Sequence, residues 1–175
     1  DMRRRAGSLY ENYTKMLENR EISIPDSILE RRVNLNLNFC YYFSMGRPLD
    51  SDDLMLMTSK SSRYYVSGAY WARDCFLWAL PAILRGDATM AKQALLAGFT
   101  TYLKQGANHA LYLNGANLYP GFELDELVAP LIALQRYVQH TGDEGILLLP
   151  QIKQGAEYIA QQLGHWYDEE TGLYR

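Results

Sequence analysis

Apolar residues recur along most of this chain at spacings of three and four, the period of a helix with one buried face. In "SLYENYTKMLENR" (8–20), Leu9, Tyr13, Met16 and Leu17 share such a face. "ISIPDSILERR" then offers Pro25 and Asp26 as a helix start, and the helix is read on through "VNLNLNFCYYFSMG" to Gly46. Inside it Asn34, Asn36 and Asn38 alternate with Leu35, Leu37 and Phe39, a period of two that also suits a strand. Helix is preferred, because nothing nearby supplies strand partners. "GRPLDSDD" carries turn chemistry. From residue 70 the pattern sharpens. "WARDCFLWALPAIL" ends at Arg85-Gly86-Asp87, where Gly86 suits a left-handed cap and Asp87 the N-cap of the next helix, "ATMAKQALLAGFTTYLKQ". A loop is read over 106–122, "GANHALYLNGANLYPGF". "ELDELVAPLIALQRYVQH" then runs to Thr141-Gly142-Asp143, and "EGILLLPQIKQGAEYIAQQL" supplies another helix.

These last four helices are two copies of one unit. Gly86 and Gly142 stand 56 residues apart, each in an x-Gly-Asp turn between an apolar helix and a second helix. At the same offset Tyr102 matches Tyr158 and Leu103 matches Ile159. Helical hairpins repeating at this period predict an all-α array or toroid. The first helices of the two units, 74–84 and 126–138, are apolar almost all round, as inner helices of a two-layer barrel are. Pro81 and Pro130 each remove one backbone bond and should bend the helix or shift its start. The chain divides into lead-in helices and a loop over 1–59 and hairpins over 60–175.

Composition narrows the function. A net charge of −3 argues against nucleic acid, which needs a basic surface. "DMRRR" reads as a solvated basic tail. There is no run of about 18 apolar residues, so no membrane span is expected. The N-terminus lacks the apolar stretch of a signal peptide, although upstream processing would remove one; the compartment stays open, with the cytoplasm favoured. Cys40 and Cys75 sit in apolar segments and read as free thiols. His109, His140 and His165 are scattered, so neither metal nor cofactor is expected. Tyr occurs 14 times, and its flat amphipathic ring suits sugar-binding clefts as well as cores.

Trp71-Ala72-Arg73-Asp74, followed by "CFLWALPAILRGD", resembles the Trp-Gly-Arg-Asp-Thr-Phe…Leu-Pro segment of glycogen-debranching amylo-α-1,6-glucosidases. Glucoamylases carry a related Trp-x-Arg-Asp, and both belong to the six-hairpin (α/α)6-barrel glycosidases. In the debranching enzymes a Thr-Gly-Asp turn follows 16 residues after an Asp at a helix start; here Asp125 precedes Thr141 by 16. The likeness covers roughly 60–175, about half of such a barrel. It implies a glycoside hydrolase that cleaves α-glucosidic bonds of a glucan or oligosaccharide by a two-carboxylate, inverting mechanism. A different sugar, such as mannose or trehalose, stays open. Ala129 stands where the debranching pattern has Trp. "ELD" (123–125) also resembles the Gln-x-Asp of glucoamylase-like enzymes, so Asp125 is either the catalytic acid or a sugar ligand.

Glycoside hydrolysis needs one carboxyl group to protonate the leaving oxygen and another to activate water. Glu123, Asp125 and Glu126 crowd one helix start, a way to raise one carboxyl's pKa. Acids also favour the first turn of any helix through its dipole. The resemblance makes Arg73 and Asp74 the pair that grips the terminal sugar's hydroxyls, with Trp71 offering a ring to the sugar face. The plainer reading is an internal ion pair beside a core Trp. The loop before the acids suits a cleft rim, with Tyr119 on it as a further sugar contact, and His109 is read as a loop residue. The second carboxylate is expected beyond this chain. On this reading the chain is a fragment inactive by itself, completed by the rest of its barrel or by a homo-oligomer. The alternative is a non-catalytic helical-hairpin module that binds carbohydrate or protein.

Overall fold

The computed structural model describes residues 2–48, 53–60, 68–105 and 107–174. The turn read in "GRPLDSDD" lies partly outside this set, and the boundary drawn at 59/60 abuts 61–67, also outside it. Among the described residues the chain is mostly helical, with three short antiparallel ribbons. No helix among them is long and apolar enough to cross a membrane.

Helix α1 covers Met2–Glu18. Its expected buried face is largely open: Leu9 is 69 % and Tyr13 40 % exposed, and only Met16 and Leu17 are half-buried. Helix α2, Ser27–Ser44, starts where the sequence places it. The Asp26 carboxylate accepts from the backbone N–H groups of Ile28 (2.9 Å) and Leu29 (3.0 Å), worth about 1 kcal/mol. The asparagine alternation resolves as helix. Asn36 donates to the carbonyl of Arg32 at 2.8 Å, an i−4 partner that only a helix brings close. Asn34 bonds both the N–H and the C=O of Ile22, at 2.9 Å each, and so ties α2 to the segment before it. The helix stops two residues short of the sequence reading, because Met45–Gly46 (β1) pairs with Met55–Leu56 (β2).

The first hairpin opens with a π-helical stretch, Asp74–Ala79, and continues as α3, Leu80–Gly86. The Leu80 N–H donates to the carbonyl of Cys75, one residue wider than in an α-helix. Pro81 has no N–H to give and crowds the preceding turn, so the expected proline disturbance takes the form of this widened turn. Helix α4, Ala88–Ala97, is capped by Asp87, whose carboxylate accepts from Met90 N–H at 2.9 Å. It runs on through a π turn, Gly98–Tyr102, and a 3-10 turn, Leu103–Gln105. Gly86 does not take the left-handed cap read for it; that conformation belongs to Gly142, with φ of 70°. At Gly86 space is what matters, since a Cβ there would stand 2.7 Å from Cδ of Arg20.

The region 106–122, read as a loop, holds instead a hairpin of Asn108–Leu111 (β3) and Asn117–Phe122 (β4). Ala110 is buried against Ala69 and Trp71 and Leu111 in the main core, and this burial overrides the loop-like composition. Helix α5, Leu124–Thr141, and α6, Pro150–Trp166, form the second hairpin, joined by Gly142 and a 3-10 turn at Glu144–Leu148. A last ribbon pairs Tyr167–Asp168 (β5) with Leu173–Tyr174 (β6).

Phe76, Leu80 and Ile83 from the first hairpin's leading helix, Ala91 and Leu95 from α4, Leu127 and Ala133 from α5, and Ile152 and Ile159 from α6 belong to one buried cluster. The leading helices are not buried all round. Trp78 is 63 % exposed, and α5 buries one face through Leu127, Pro130, Leu134 and Tyr137. The repeat positions meet: Leu103 and Ile159 are both buried, and the Tyr158 hydroxyl donates to the carbonyl of Lys104 at 3.2 Å.

Candidate functional site

A short backbone pairing builds the site. Tyr70 and Leu111 exchange N–H···O bonds of 2.9 Å each, which lays the segment before the first hairpin along β3. The Tyr70 ring stacks on Tyr102 at 3.7 Å, and the Tyr102 hydroxyl donates to the carbonyl of Leu113 at 2.9 Å. The pairing sets Trp71 and Arg73 beside the hairpin, and Glu123 N–H donates to the carbonyl of Ala107 at 3.0 Å, which anchors the start of α5 at the same place. Three elements far apart in sequence thus end at one point.

Arg73 is the centre. Its Nη1 donates to Asp125 Oδ2 at 2.7 Å and to Glu123 Oε2 at 3.0 Å. Its Nη2 stands 3.4 Å from Glu126 Oε1, and its Nε 3.9 Å from Asp74 Oδ2. Its backbone N–H donates to Glu126 Oε2 at 3.0 Å. Its hydrogen bond to Asp125 and the charges of Glu126 and Asp125 raise the Arg73 pKa further, against the opposing effect of burial, so it stays charged.

The four carboxylates are not equivalent. Asp125 is the most accessible, with its side chain 49 % exposed, and its Oδ1 also accepts from Glu126 N–H at 3.0 Å. Glu123 makes no cap bond to its own helix; its carboxylate lies between Arg73 and His109 Nδ1, 2.5 Å away. Asp74 is buried, and that burial raises its pKa against the pull of Arg73. Glu126 is 1 % exposed, and its Oε1, although near Nη2, is aligned for no hydrogen bond. Burial therefore prevails over the Arg73 contacts and pushes the Glu126 carboxyl up to about 8.

The structure brings together Arg73, Asp74, Glu123, Asp125 and Glu126. Trp71 is 6 % exposed and packs with Ala69 and Ala110, so it forms a wall rather than an open platform. Tyr119 is the exposed ring, at 53 %, lying 6.5 Å from Trp71 and 6.1 Å from His109. His109 belongs to this site, which its reading as a plain loop residue missed. Its Nδ1 is held by Glu123, its ring is edge-on to Trp71 at 6.1 Å, and among the described residues its Nε2 has no hydrogen-bond partner. The available signal was Asn114-Gly115, a turn pair between two apolar runs that marks a hairpin; its register sets Ala110 opposite Tyr119 and so brings the His109 ring beside Tyr119.

Chemically the arrangement offers hydrogen-bond acceptors at Asp125 and Glu123, an imidazole whose outer nitrogen faces away from its anchor, and an exposed aromatic ring. Hydroxyl-rich ligands use such a set. Two grooves lie elsewhere and are lined by none of these residues. Among the described residues no group of three or more His, Cys, Asp or Glu side chains is placed to hold a metal ion, and both cysteines are free. No protein-family model, curated protein or solved structure matches this chain.

Proposed function

We propose that the chain supplies the first hairpins of an (α/α)6 barrel, about half of the toroid, in a glycoside hydrolase that cleaves α-glucosidic bonds of a glucan or oligosaccharide with two carboxylates and inversion. The observation that carries the reading is the gathering of Asp74, Glu123, Asp125 and Glu126 on Arg73, from helix starts about 50 residues apart. Asp125 faces the ligand, as acid or as sugar contact. Arg73 orders the acids, and Tyr119 offers a ring to the sugar with Trp71 behind it. Glu126 is too deeply buried to touch a sugar and acts through Arg73. The second carboxylate comes from the remainder of the barrel, so the chain alone hydrolyses nothing.

The test is turnover of maltooligosaccharides and isomaltose by the protein that carries this segment, with Asp125→Asn as the probe. A fall in kcat of at least 100-fold with KM held marks an acid. A rise in KM with kcat held marks a sugar ligand. Unchanged kinetics remove Asp125 from the site.

A second reading has its own support. Arg73 spends its Nη1 bonds on the chain's own carboxylates, which is how a structural ion cluster behaves. On that reading the chain is a non-catalytic module, and titration with maltooligosaccharides leaves the fluorescence of Trp71 and its neighbours unchanged while Arg73→Gln still lowers stability.

A further inference from the structure

A groove of about 520 Å³ runs between α2, the segment after α1 and the end of α3, away from the acid cluster. Its size is that of small-molecule sites. Its floor is apolar, with Leu17, Tyr41 and Ile83, and three arginines line it: Arg20, Arg31 and Arg85. Arg31, Asn34, Asn38 and Tyr41 fall on one face of α2 at helical spacing, so the helix turns Arg31 and the Asn38 amide to the same side.

Arg20 is held in place. Its guanidinium lies 4.1 Å over the Tyr41 ring, its stem packs on Gly86, and its Nη2 reaches Asp87 Oδ2 at 3.4 Å. Yet its Nη1 is out of water and has no acceptor. A buried charged donor left unsatisfied is costly and calls for a partner. Among the described residues Arg31 and Arg85, unlike Arg20, have no carboxylate partner. Two acids, Glu21 and Glu30, share the groove with the three arginines, and Glu30 turns one oxygen to the Ile24 N–H at 2.7 Å. The neighbouring groove shares Arg85 and adds Arg136 and His140. Helix-end placement accounts for Arg85, which sits in the last turn of α3. It does not account for the orphaned Nη1 of Arg20 in a protein whose net charge is −3.

We infer that this groove is a binding site for a small molecule bearing an oxyanion, a phosphoryl or carboxylate group, seated against Arg20 and clasped by Arg31 and Arg85 over the apolar floor. Guanidinium forks match both anions, and the floor takes the ligand's body. The site is independent of the acid cluster and of any sugar chemistry there.

The experiment titrates the purified protein with inorganic phosphate and with citrate at ionic strength matched by sodium chloride, following Tm and heat of binding. Saturable binding with a Tm that climbs with ligand concentration is expected for at least one of them. Phosphate alone marks a phosphoryl ligand and citrate alone a carboxylate one. Arg31 and Arg85 are exposed, so Arg31→Gln and Arg85→Gln, singly and together, leave the fold intact and weaken binding at least tenfold, while Asp125→Asn leaves it unchanged. If neither anion raises Tm above the chloride control, or if the double variant binds as tightly as the parent, the inference is overturned.

Discussion

Replacing Glu126 with Gln tests the electrostatics of the acid cluster most directly. The carboxyl is 1 % exposed and titrates near 8 in the folded protein, against 4.5 when solvated. The folded state therefore holds a proton over that range which the unfolded chain has released, so stability falls as pH rises from 4.5 through 8. At about 1.4 kcal/mol per pH unit the full loss is about 5 kcal/mol, an upper figure that water entry and relaxation reduce. Asp74, raised by the same burial, adds a loss of the same sign. Asp143, lowered by Lys92 and the Tyr137 hydroxyl, contributes stability lost only in acid, below about pH 4, and does not mask the trend. Gln keeps an acceptor for the Arg73 N–H and cannot ionise. Urea unfolding at intervals from about pH 5 to 8.5 should show the parent weakening steadily and Glu126→Gln staying nearly level, apart from the Asp74 contribution. A parent whose stability is flat or rises over that range refutes the reasoning, as does a variant that weakens just as steeply.

Arg73→Ala removes the hydrogen bonds to Asp125 and Glu123 and the cation beside Asp74, so urea midpoints should drop by the equivalent of about 2 kcal/mol near neutral pH. Asp87→Ala loses both the cap of α4 and the Arg20 contact, and thermal melting should register about 2 kcal/mol. Gly142→Ala meets no neighbouring atom and suffers only from its positive φ, costing about 1 kcal/mol by chemical denaturation.

Helix content and hairpin repeats were legible because they rest on local rules. Asp26 and Asp87 cap the helices they precede in sequence, and the apolar spacing of α5 matches the face it buries. The misread pieces are those where a distant partner decides. The hairpin at 108–122 is stabilised by burial of Ala110 and Leu111 and by the bridge to Tyr70, neither of which leaves a local signature beyond Asn114-Gly115. Gly86 stands in an x-Gly-Asp turn, but what decides its surroundings is Arg20, 66 residues earlier, whose side chain would have to shift to admit a Cβ. Leu9 and Tyr13 have the right period, yet among the described residues they stay 69 % and 40 % exposed.

For the site the division is similar. Arg73, Asp74 and the acids at 123–126 stood out in the sequence as charges at the mouths of apolar helices. Their joining into one cluster was decided by tertiary structure, because the Tyr70–Leu111 pairing and the docking of α5 bring residues 50 apart within 3 Å. So were the ranks of the acids. Neighbours in sequence, Asp125 and Glu126 carry the same carboxyl group, yet one faces water and the other is sealed beneath Arg73. The sequence determined which charges exist and which helices carry them; a charge's energy depends on the dielectric and partners around it, and only the folded chain supplies those.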